Sequence, residues 1–193
     1  MIKFGTSGWR AIIADQFTFD AVRQVTQAIV NRIGSHSPGS HVVVGYDTRF
    51  MAETFAEESA RLIAAGRLHP LLTDRATPTP AVAFAIRSRG ASGGINFTAS
   101  HNPPTYCGMK FSTADGAPAL PEVTEEIERE IAKLEGRSIT APATERATFA
   151  LSPKREAIAA NEPPDRRCRK PERCEVPSPF LSPARSNRHK YKL

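Results

Sequence analysis

Apolar positions alternate between two spacings along the first two-thirds of the chain. Val22, Val25, Ile29 and Ile33 fall on one face of a helix over Thr18–Ile33, with Thr18 available as its N-cap. The β-branched run His41–Tyr46 is too short for a helix and reads as a buried strand. Met51, Phe55, Ser59, Leu62 and Ile63 mark one face of a second helix that closes near Gly66. Leu68–Thr73 reads as a strand, and Thr77-Pro78-Thr79-Pro80 opens a helix over the apolar stretch Ala81–Ile86. A strand over Gly93–Thr98 runs into Ala99-Ser100-His101-Asn102, where Pro103 and Pro104 forbid its continuation. Gly108–Ser112 suits another strand. A last helix starts at Pro121, with Glu122, Glu125 and Glu126 near its positive end and Val123, Ile127, Ile131 and Leu134 on its apolar face, and Gly136 stops it. Alternation of this kind predicts an α/β protein: a three-layer α/β/α domain with a mostly parallel mixed sheet over residues 1–136.

The pattern decays after Gly136. Residues 137–160 read as a linker or the start of a second domain, with one weak helix around Arg155–Ala160. Residues 161–193 hold six prolines and nine Lys and Arg against four Asp and Glu. Such a segment lacks the apolar surface to offset its ordering entropy, so a disordered basic tail is expected. The tail changes the meaning of the net charge of +6, because it contributes +5 and leaves +1 for residues 1–160.

No run of apolar residues is long enough to span a membrane, and Met1–Gly5 lacks the apolar core of a secretory signal, so a cytoplasmic protein is expected. Cys107, Cys168 and Cys174 are too few for a disulfide framework. The spacing of the last two, with His189 beyond, fits no common zinc site.

Three clusters carry candidate chemistry. Phe4-Gly5-Thr6-Ser7-Gly8-Trp9-Arg10 is a small-residue loop ending in a guanidinium that could pair with a phosphate; taken alone, a hairpin turn with a solvated arginine is the better reading. Thr98-Ala99-Ser100-His101-Asn102-Pro103 puts a serine at the C-terminal end of a strand, where open α/β sheets gather ligands, although Asn-Pro is also an ordinary turn former. No Gly-x-Ser-x-Gly elbow surrounds it, which argues against a hydrolase. In Tyr106-Cys107-Gly108-Met109-Lys110-Phe111, Lys110 could face back toward Ser100 or sit on an edge strand as a surface lysine.

Together the clusters resemble the α-D-phosphohexomutase superfamily, the phosphoglucomutases and phosphomannomutases. Phe-Gly-Thr-Ser-Gly-x-Arg, then Thr-Ala-Ser-His-Asn-Pro, then Gly-x-Lys look like the motifs of that family's first α/β/α domain, in order. The resemblance implies an isomerase acting as an intramolecular phosphotransferase in carbohydrate metabolism. Ser100 would be its catalytic phosphoserine, assisted by Lys110 and His101. Arg10, Ser7, Thr98 and Asn102 would bind substrate or phosphate. Hexose 1- and 6-phosphates would be the substrates and a hexose bisphosphate the intermediate. One Mg²⁺ would sit against Ser100 through its phosphate. Ala11 and Cys107 stand where the family commonly has Gly and Asn.

The resemblance also implies parts that are not here. The family's second domain brings an aspartate-rich metal loop, and the chain has no cluster of three closely spaced aspartates. Two accounts follow: a truncated or frameshifted phosphohexomutase, inactive alone, or a subunit that works with missing domains on another chain. A third is a non-catalytic binding module whose basic tail meets a polyanion. Phe180 and Tyr191 are the tail's only aromatic residues, so nucleic acid is not the expected partner.

Overall fold

The computed structural model describes residues 2–5 and 8–142. In chain order the elements are β1 (Trp9–Ile12), α1 (Phe19–His36), β2 (His41–Tyr46), α2 (Ala52–Ala65), β3 (His69–Leu72), α3 (Thr79–Ser88), β4 (Gly93–Phe97), β5 (Tyr106–Thr113) and α4 (Pro121–Lys133). Every helix and strand expected within residues 1–136 is present. Thr18 caps α1 by accepting the Ala21 N–H at 3.3 Å, and Gly66 closes α2. The weak helix at 155–160, Cys168, Cys174 and the basic tail lie outside the described residues. Among the described residues no helix is long and apolar enough to cross a membrane.

The five strands form one sheet in the order β1-β5-β4-β2-β3. β2 pairs in parallel with both β3 and β4, and β5 is antiparallel to both β4 and β1. Four of the five strands therefore run the same way, and β5 alone is reversed. From β2 the chain crosses through α2 to β3 on one side, then returns through α3 to β4 on the other. In sheets of this kind such a reversal makes the C-terminal ends of β2 and β4 the usual ligand position.

One strand was not expected. Trp9–Ile12 follows a glycine-rich loop and reads locally as its continuation, but pairing with β5 over Trp9↔Met109 to Ile12↔Tyr106 makes it a strand. The same partnership extends β5 beyond the expected Gly108–Ser112. Non-local pairing outweighs local propensity here.

The two faces of the sheet are covered unequally. Val42, Val44, Ile95, Phe97, Met109 and Phe111 project into the main core with the apolar faces of α1, α2 and α4. Phe17 lies at its centre, stacked on Trp9 at 4.5 Å and edge-on to Phe55 at 5.0 Å. The opposite face is covered by α3, which packs Val82, Ala85 and Ile86 on Val43. It approaches closely because β2 and β4 have glycines beneath it: a Cβ on Gly45 would come within 2.5 Å of Val82, and one on Gly94 within 2.6 Å of Ile86. The alternation of strand side chains places Arg10, Gly108 and Lys110 on that same face of the sheet.

Candidate active site

The site is built on the loop that follows β4. Ser100 is exposed and adopts the left-handed conformation, φ +57°. A non-glycine residue there costs about 1–2 kcal/mol, so its surroundings must hold it. Buried Thr98 accepts the Ser100 N–H on its hydroxyl at 3.1 Å, and the Asn102 N–H closes the turn onto the Ala99 carbonyl at 3.1 Å. His101 is exposed at the tip of this turn.

Arg10 reaches the loop from β1. Its register partner is Gly108, and a Cβ on Gly108 would meet Arg10 Cγ at 2.9 Å, so the arginine stem lies across the glycine. The guanidinium Nη1 then stands 3.5 Å from Asn102 Oδ1, at the long limit of a hydrogen bond. Gly8 is equally constrained. At φ +122° it lies against β5, where a Cβ would fall 2.3 Å from the Met109 carbonyl oxygen. Gly5 and Gly8 exchange backbone hydrogen bonds at 3.2 Å in each direction. Ser7 and Thr6 lie outside the described residues.

Lys110 is half-buried on β5, opposite Asn96 of β4. Burial lowers its pKa, and the nearby charge of Arg10 lowers it further. Two cations thus share one sheet face beside the serine loop, a setting that favours an arriving anion and eases proton release from the lysine. Cys107 is different. It is buried, and burial pushes its thiol up to about 12, which keeps it neutral and unreactive.

The loop has a further partner that sequence reasoning missed. Arg49, just after β2, donates from Nη2 to the carbonyls of Ser100 and Asn102 at 2.8 Å each, and from Nη1 to those of Pro103 and Tyr106 at 2.9 Å each. Asp47 accepts the Arg49 backbone N–H at 2.9 Å and faces its Nε at 3.3 Å. The Asp47-Thr48-Arg49 sequence directly after a strand was the available signal.

Comparison with known proteins decides what this site belongs to. Residues 1–138 match the family described as phosphoglucomutase/phosphomannomutase, alpha/beta/alpha domain I. The chain belongs to the phosphoglucomutase/phosphomannomutase family. A phosphoglucomutase of Staphylococcus saprophyticus is 31% identical over 141 residues, 70% of this chain and 25% of that one. A Pyrococcus abyssi protein described as a probable phosphoglucosamine mutase is 36% identical over 127 residues, 65% of this chain and 27% of its own. A crystal structure from Thermus thermophilus, described as a phosphomannomutase, superposes with a TM-score of 0.74 at 37% identity, covering 82% of this chain and 35% of that one. The chain thus spans about a quarter of the length of the curated family members it matches.

Of the residues that the family resemblance assigned, Arg10 and Asn102 are brought together, and Thr98 supports Ser100 from below. Lys110 lies on the arginine's face of the sheet. The metal is another matter. Among the described residues no group of three or more His, Cys, Asp or Glu is placed to hold an ion. The donor set among the described residues does not fit a magnesium site.

Proposed function

We propose that this domain is the phosphoryl-carrying part of a hexose-phosphate mutase, with Ser100 as the acceptor. The observation that carries the reading is the conformation of Ser100. An exposed hydroxyl is held at φ +57° on a braced loop at the C-terminal end of β4, near a guanidinium that shares its sheet face with a lysine of lowered pKa.

Loading the serine requires a hexose bisphosphate as donor. A bond forms between Ser100 Oγ and phosphorus while the bond from phosphorus to the sugar oxygen breaks. The serine proton leaves to a base, and the sugar oxygen gains one. Lys110, in its neutral form, suits the first task, and Arg10 suits the charge on the phosphoryl oxygens. The reverse step places the group on the free hydroxyl of a hexose monophosphate and gives a hexose bisphosphate; loading the serine from that bisphosphate's other end then leaves the isomeric monophosphate. Thr98 and Asn102 act on the loop and on Arg10. His101, at the exposed tip, faces whatever enters.

Net interconversion of hexose phosphates needs sugar recognition and carboxylates for Mg²⁺. Both would be contributed from outside the described domain, which by itself is expected to perform the serine half-reaction without sustained turnover. The test is to treat the chain with glucose 1,6-bisphosphate and Mg²⁺, remove small molecules, and add glucose 6-phosphate or mannose 6-phosphate. Release of a hexose bisphosphate supports the reading. A protein that never carries a phosphoserine contradicts it.

A further inference from the structure

We infer that Arg49 is a positioning residue for phosphoryl transfer at Ser100, holding the serine loop in shape without touching the substrate. The inference rests on the phosphocarrier reading above. A guanidinium has five N–H donors in a rigid fork. In Arg49 the four Nη donors are matched, two on Nη1 to Pro103 and Tyr106 and two on Nη2 to Ser100 and Asn102, and Nε forms an ion pair with Asp47 at 3.3 Å. The side chain is only 13% exposed. No Nη donor remains for a phosphate, and Asp47 occupies the side of Nε, although the residue stands beside the site. Its influence therefore passes through the loop.

The geometry says what that influence is. Residues 98–105 connect β4 to β5, and the isolated loop has little reason to keep Ser100 left-handed. Arg49 fixes the carbonyl of Ser100 itself and those of three residues that follow it. The four oxygens, each the negative end of a peptide dipole, are gathered on one cation, which offsets their negative potential next to the serine. Asp47 ties the arginine to the sheet, since its own N–H bonds the Phe97 carbonyl at 3.0 Å and its carboxylate takes the Arg49 amide. A continuous bracket runs from the end of β2, across the end of β4, to the start of β5.

Lysine would keep the charge but, with three donors on one nitrogen, could not span two pairs of carbonyls. The test compares the full chain with Arg49→Lys and Arg49→Ala. It follows phosphoryl uptake from glucose 1,6-bisphosphate with Mg²⁺ by intact mass, and backbone amide exchange over residues 98–106. In Arg49→Lys the maximal uptake rate should fall by about tenfold or more, as small displacements of a reacting group do. The half-saturating donor concentration should stay within about twofold, because uniform binding is untouched. Loop amides should exchange about tenfold faster, while those of Val42–Val44 keep their protection. Methylguanidinium should restore part of the rate to Arg49→Ala.

Wild-type uptake in Arg49→Lys, or a rise in half-saturation at unchanged maximal rate, would overturn the inference. If the wild-type chain takes up no phosphoryl group, the phosphocarrier reading fails by itself. Amide exchange then decides Arg49, and an unchanged loop would refute its bracing role.

Discussion

Thr98 donates its backbone N–H to the Gly108 carbonyl at 2.9 Å, and its own carbonyl oxygen occupies the space where a Cβ on Gly108 would come within 2.6 Å. The serine loop is therefore seated directly on β5, with no side chain between them. Gly108→Ala must displace backbone on both sides, at Thr98 and at the Trp9 carbonyl, and push on the Arg10 stem. It should cost about 1–3 kcal/mol in chemical denaturation and weaken phosphoryl uptake. Gly34→Ala is the contrasting control, since it lies in α1 with nothing near its missing Cβ. It should stabilise by about 0.5–1 kcal/mol.

Ser100 stores strain that a glycine would release. At φ +57°, Ser100→Gly should be more stable than Ser100→Ala by about 1 kcal/mol. Equal stabilities in urea titrations would show that the loop relaxes and that the left-handed conformation is not imposed from outside.

Lys110 carries a pH dependence of definite sign. Its folded-state pKa is lowered from 10.5, by burial first and Arg10 second. Between the folded and unfolded values the unfolded chain holds the extra proton, so stability rises with pH across that window. Below the folded value the penalty is fully present. Lys110→Met should accordingly stabilise the domain at neutral pH, by under about 1 kcal/mol given the lysine's remaining contact with water. The gain should shrink as pH climbs toward 10.5. A gain that is constant with pH would mean that packing, not charge, is responsible.

Cys107 should be silent toward thiol reagents while the domain is folded. With its thiol pushed up to about 12 by burial, alkylation should run at least about a hundredfold slower than for an ordinary free thiol. Peptide mapping after iodoacetamide, with and without denaturant, measures this. Rapid native labelling would show that β5 opens.

Much of this architecture was legible because local signals and tertiary demands agree. Thr18, Gly66 and Pro121 sit where the capping rules put them, and β2 coincides with its β-branched run. Arg10, Ser100 and Asn102 were singled out by the family resemblance of their motifs; local pattern alone left them open as ordinary turns. What escaped depends on distant partners. β1 exists only through β5, and the role of Arg49 depends on carbonyls more than 50 positions away, as far along the chain as Tyr106 at 57. Backbone acceptors leave no trace in a sequence, so apart from its place behind Asp47 at a strand end, a guanidinium that serves four of them looks like any surface arginine.

The most direct test of the central claim is the intact mass of the chain before and after glucose 1,6-bisphosphate and Mg²⁺, with Ser100→Ala treated alongside. A single phosphoryl group gained by the wild type, mapped to Ser100 and absent from the variant, is the predicted result. No uptake, or uptake that survives in Ser100→Ala, would contradict it.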